Sequence, residues 1–175
     1  MDLSVYTECN VDTNLAETLV PPQSGYNHQY GCNNVARAMK IKMANRFALG
    51  IIDKDKEEID YLKEFYIVIE NDALILYRHK ERHHYIIQIN PAAERFIINA
   101  AEKVGILLEE YELSSSLSGL KDITKTIRSK HDQRLKKLFK ALQNKNSPEI
   151  IQLTNWIAYL KEKQYSADLE ELKRM

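Results

Sequence analysis

The run Phe47-Ala-Leu-Gly-Ile-Ile-Asp-Lys-Asp-Lys56 decides the fold. Its first six residues are a near-continuous apolar stretch, the pattern of a strand covered on both faces in an α/β sheet. The charges that follow mark the strand's end. Ligands of open α/β sheets bind at the carboxyl ends of strands, so Asp53 and Asp55 stand where chemistry is expected. In an extended segment they project to one side and can face one ion, while Lys54 points away. Hard divalent cations such as Mg²⁺ take oxygen ligands, commonly one or two carboxylates completed by water and substrate phosphates. Taken alone, the same residues are an ordinary acidic turn.

Upstream, Leu3 to Thr7 alternate apolar and polar and form a short first strand ending beside Glu8. Asp12 or Thr13 caps a helix that runs to about Val20, where Pro21-Pro22 stops it. Residues 21–31 are a polar, aromatic loop. A second helix spans Asn33 or Asn34 to about Asn45, with Val35, Met39 and Met43 inward and Arg37, Lys40, Lys42 and Arg46 on a basic face. If the first strand neighbours the 47–52 strand, Glu8, Asp53 and Asp55 converge.

Downstream, YIVIE and ALILYRH flank a tight turn at Asn71-Asp72, and HHYIIQI is a further strand. Asn90 caps the next helix, with Pro91 in its first position and Gly105 ending it. After the flexible SSSLSG stretch (114–119) come two helical segments. The first carries Ile123, Ile127, Leu135, Leu138 and Leu142; the second starts at Ser147-Pro148-Glu149. The expected organisation is an α/β core over residues 1–105 and a helical extension, residues 106–175, packed on it.

Lys plus Arg and Asp plus Glu both number 25, so net charge gives no support to a dedicated duplex-DNA binder. Two cysteines, Cys9 and Cys32, form neither a disulfide framework nor a CxxC metal spacing. The amino terminus lacks a signal-peptide pattern and no apolar run is long enough to span a bilayer. A cytoplasmic protein without membrane contact is therefore expected.

The order of motifs resembles the TOPRIM fold of topoisomerases, primases, RecR-type recombination proteins and OLD-family nucleases. VYTECNVDTNLAETL is similar to its first motif, with Glu8 and Asp12, and FALGIIDKDK to its second, with Asp53 and Asp55. GCNNVARAM and QINPAAERFIINAAEKVGI resemble segments of small uncharacterised and phage-defence relatives, including RloB-like proteins. Cys9 stands where most members have Gly, and no Gly closely follows the acidic pair. The resemblance spans roughly residues 3–105.

What the resemblance implies is Mg²⁺- or Mn²⁺-dependent phosphoryl transfer on nucleic acid, as in a nuclease or another DNA- or RNA-processing factor. Asp53 and Asp55 would hold the metal, and Glu8 would act as general acid/base or bind a second ion. Asp12, Glu57 and Glu94 are secondary candidates; Asp12 is equally a helix cap. Arg37, Lys40 and Lys54 are candidates for phosphate contact, against a plain solvated face. The alternative is a non-catalytic TOPRIM-like module for nucleic acid, a protein partner or a second copy of the chain. A phosphoryl-receiving α/β domain ranks last, because VYTECN offers one acid where that chemistry uses two.

The basic, His-rich run at residues 78–84 reads as a hairpin tip, with His83 and His84 on opposite faces. Without a base to activate it, Cys9 is a quiet thiol.

Overall fold

The computed structural model describes residues 2–54 and 59–175; Asp55 and Glu57, two of the candidate site residues, lie outside them. The strands are β1 (Val5–Thr7), β2 (Asn27–His28), β3 (Ala48–Asp53), β4 (Phe65–Glu70), β5 (Leu74–His79) and β6 (His84–Ile89). They form one sheet in the order β2-β1-β3-β6-β5-β4. From β2 to β6 neighbours are parallel, and β5 pairs antiparallel with both β6 and β4. The expected adjacency of the first strand and the FALGII strand holds: Tyr6 pairs with Gly50 and Thr7 with Ile51.

The helices are α1 (Asn10–Leu19), α2 (Cys32–Lys42), α3 (Ala93–Lys103), α4 (Leu117–Thr124), α5 (Gln133–Asn144), α6 (Pro148–Lys163) and α7 (Leu169–Lys173). The alternation along β3 sorts them into two layers. Leu49 and Ile51 join the core containing α1, α3 and the carboxyl-terminal helices, whereas Ala48 and Ile52 join the core containing α2 and the turn Asp60–Glu64. Both faces of β3 are therefore covered, as its unbroken apolar run requires. Gly50 permits α2 to approach: a Cβ there would meet Met39 Sδ at 2.9 Å and Val35 Cγ1 at 3.1 Å.

The carboxyl-terminal helices share the α1 and α3 core, with Leu135, Leu138, Leu153 and Trp156 fully buried among Leu15, Leu49 and Phe96. Asn14 of α1 ties this region down, its Nδ2 donating to Ser129 O (2.7 Å) and Asp132 O (3.1 Å).

Several local expectations are corrected. Residues 21–31 contain a strand, β2, which pairs parallel with β1. Helix α1 starts at Asn10 with Cys9 as its cap, not Asp12 or Thr13. Helix α3 starts at Ala93, and Asn90-Pro91, joined by a cis bond, form the turn ahead of it. The segment 114–119 opens α4, with Ser116 Oγ accepting from Gly119 N–H at 3.1 Å. The helical segment expected from Ile123 to Leu142 is divided into α4, the turn Ile127–His131 and α5. At α1, α4 and α5 a short side chain (Cys9, Ser116 and Asp132) offers the backbone a local partner that hydrophobic spacing does not reveal.

Candidate functional site

Because β1 and β3 are adjacent and parallel, their carboxyl ends bring Glu8 and Asp53 together. Glu8 N–H donates to Ile51 O (3.0 Å), and Asp53 N–H donates to Glu8 Oε2 (2.9 Å). Asp53 lies on the α1 and α3 face, and its Oδ1 accepts from Ala93 N–H (2.9 Å), the first residue of α3. A carboxylate here satisfies one of the free amides of that helix end and complements its dipole.

The first turn of α1 supplies a second carboxylate. Cys9 Sγ accepts from Asp12 N–H (3.5 Å), while Asp12 Oδ2 accepts from Cys9 N–H (3.2 Å), a reciprocal capping box with sulfur in place of the usual hydroxyl. Cys9 has extended backbone (φ −130°), so the turn needs no glycine. Asp12 is fully buried, and its Oδ1 has no hydrogen-bond partner. An unmatched buried oxygen costs about 1–3 kcal/mol.

Glu94, in the first turn of α3, is the fourth acid; Thr124 Oγ1 donates to its Oε1 at 2.5 Å. Burial, followed by the like charges of Asp12, Glu8 and Glu94, pushes Asp53 up to about 9. Burial, with Glu8 and Glu94 adding to it, pushes Asp12 up to about 7 against the hydrogen bonds from Cys9. Such opposed charges need either protons or a bound cation. Burial, with Asp12 and Asp53 adding to it, also pushes the Cys9 thiol up, so it remains protonated and unreactive.

Among the described residues, no three His, Cys, Asp or Glu side chains are arranged as a ready-made metal cage. The donor chemistry nonetheless fits a hard cation: carboxylate oxygens on three elements, like charges, and an unmatched Asp12 Oδ1. Glu8, Asp12 and Asp53 are the described residues that would hold it.

The phosphate-contact candidates are dispersed. Lys54 is exposed beside the site, its N–H donating to Ile89 O at 2.8 Å. Arg37 is exposed on α2 and lines a hollow beside His28 and Tyr30. Lys40 is ion-paired with Glu64 and sits 5.3 Å over the Tyr61 ring. It lies roughly 12 Å along α2 from the end nearest Glu8.

Two features of the region escape hydrophobic patterning. Thr13 Oγ1 donates to Cys9 O (2.8 Å) and receives Thr7 Oγ1 at 2.6 Å and His28 Nδ1 at 3.3 Å. With Thr13's proton committed, the His28 donor is Nδ1–H, which leaves Nε2 as a buried acceptor without a partner. The second is Tyr30, exposed in left-handed backbone (φ 42°) with its ring 4.2 Å from His28.

The chain matches no family model, no curated protein and no solved structure.

Proposed function

We propose that the acidic cluster is a divalent-cation site in a TOPRIM-like domain and that it serves phosphoryl transfer on nucleic acid. The observation that carries this reading is the meeting of Glu8 and Asp53 at the ends of parallel neighbours, beside Asp12 with its unmatched buried oxygen. Bound Mg²⁺ or Mn²⁺ would stabilise charge on phosphoryl oxygens and lower the pKa of an attacking water. Glu8, half-buried at the mouth, would exchange a proton with the attacking water. Asp12 and Asp53 hold negative charge toward the ion, with Asp55 as their expected companion. The first turns of α1 and α3 orient these groups through the Cys9 and Ala93 amides.

A second reading, a non-catalytic module that binds nucleic acid or protein, is favoured by the capping contacts themselves. Asp53 Oδ1 and Asp12 Oδ2 both satisfy backbone amides, a purely structural use of carboxylates. Cleavage assays on single-stranded and duplex DNA and RNA with Mn²⁺ separate the two. Metal-dependent hydrolysis reduced about 10²-fold or more in Glu8→Gln supports the enzyme. Absence of turnover on all four substrates contradicts it.

A further inference from the structure

We propose that the sheet edge at β2 is a docking trough for single-stranded nucleic acid, with Tyr30 as a base-stacking platform. This inference rests on the reading of the adjacent acidic cluster as a phosphoryl-transfer site and names the form of its substrate.

Two hollows flank β2, of about 400 Å³ on the α2 side and about 390 Å³ on the side of the turn Ile127–His131. Both are lined by His28, Gln29 and Tyr30, so they form one trough across the edge strand. Arg37 and Lys42 line the first hollow and Lys130 and His131 the second, whereas no Asp or Glu lines either among the described residues. In a chain with net charge zero, this local excess of cations fits a polyanion.

Large apolar groups are exposed along the same trough: Tyr30 at 71%, Ile41 at 66% and Ile127 at 76%. Left-handed backbone at a bulky non-glycine residue is costly and persists where the surroundings enforce it. Here it holds an aromatic ring in solvent between two basic hollows. Unpaired bases stack on such rings, and the bases of a duplex are already stacked on one another. The trough also reaches the acidic cluster. Asn10, next to the Cys9 cap, lines the second hollow, and Gly31 N–H donates to Glu8 O at 3.1 Å.

The test is fluorescence anisotropy of a labelled oligodeoxythymidine, in EDTA and low salt, with the full chain. Tyr30→Ala is expected to weaken binding about tenfold and Tyr30→Phe to restore it, the range for loss of one stacked base. The Arg37→Ala/Lys130→Ala double variant is expected to flatten the dependence of log K on log salt by about 1.4. Unchanged binding in both variants, equal binding of a duplex or of polyglutamate, or no binding by the native chain would overturn the trough. Because EDTA removes any metal requirement, the two readings fail separately. A chain that binds Mn²⁺ but no oligonucleotide contradicts the trough alone; one that binds the oligonucleotide but no ion contradicts the metal site alone.

Discussion

The backbone N–H of Asp53 donates to the carboxylate of Glu8 across 2.9 Å, joining the ends of β3 and β1 through a residue pair 45 positions apart. Two acidic side chains are thereby held at the mouth of the parallel part of the sheet, with Asp12 behind them in the first turn of α1. Burial, reinforced by the like charges of Asp12, Glu8 and Glu94, gives Asp53 its unusual proton affinity, with consequences for stability as well as for ligands.

Asp53 titrates at about 9 in the folded chain against an ordinary value of 3.8. A folded-state pKa above the unfolded one means that the folded chain binds more protons between the two. The stabilisation is complete below about 3.8 and is lost as pH rises through about 9. Without divalent ions, unfolding free energy is expected to fall between pH 7 and 9, by up to about 1.4 kcal/mol per pH unit for one proton. Asp53→Asn keeps an oxygen for Ala93 N–H and is expected to flatten that slope and stabilise the chain at pH 8 by about 1–3 kcal/mol. Urea melts across that range provide the check, and an unchanged slope in the variant would count against the electrostatic account.

His84 anchors the opposite end of the sheet. It is fully buried, with Nε2–H donating to Met43 O (2.9 Å) and Arg46 O (3.1 Å) and Tyr61 O–H donating to Nδ1 (2.6 Å). His84→Leu leaves those partners unmatched and is expected to cost about 2–4 kcal/mol by chemical denaturation.

Burial lowers the pKa of both His84 and His79. Depressed histidine values place the linked stabilisation above the ordinary 6.5, and it is lost as pH falls below that toward the folded values. The two histidines therefore subtract stability between pH 6.5 and 5, against the gain contributed by Asp53, and His84→Gln is expected to show a smaller loss from this source over that interval. Equal losses would remove His84 from the acid response.

Asn14 tests whether the carboxyl-terminal helices stand alone. Asn14→Ala unpairs two carbonyls, Ser129 O and Asp132 O, and is expected to cost about 1–3 kcal/mol while unfolding remains one transition. Two separated transitions would show that residues 106–175 fold independently of the core.

Much of this arrangement was legible in the residues. FALGII announced a strand buried on both faces, and the acids beyond it marked a carboxyl end, because apolar patterning reports burial directly. The alternation of His83 and His84 also came through, with His84 buried and His83 exposed. Patterning was blind where polar side chains serve the backbone. Cys9 acts as a helix cap although sulfur is a weak acceptor, and Asp53 caps a helix 40 residues downstream. The strand Asn27–His28 has neither alternation nor β-branched residues, and only its pairing with Tyr6 and Thr7 creates it. Glu94 enters as a secondary candidate through the resemblance, but its contact with Thr124 arises from the packing of α4 on α3.

Calorimetric titration of the native chain with Mn²⁺ at pH 7.5, in buffers of differing ionisation enthalpy, reads out whether Glu8, Asp12 and Asp53 bind a divalent cation. Asp53 is protonated at that pH without the ion, so binding is expected to release about one proton per Mn²⁺. Asp53→Asn is expected to weaken binding by more than the roughly 10–100-fold that loss of an outer-shell partner costs. Binding of equal strength in Asp53→Asn, or no ion taken up by the native chain at millimolar Mn²⁺, would rule out a cation site at this cluster.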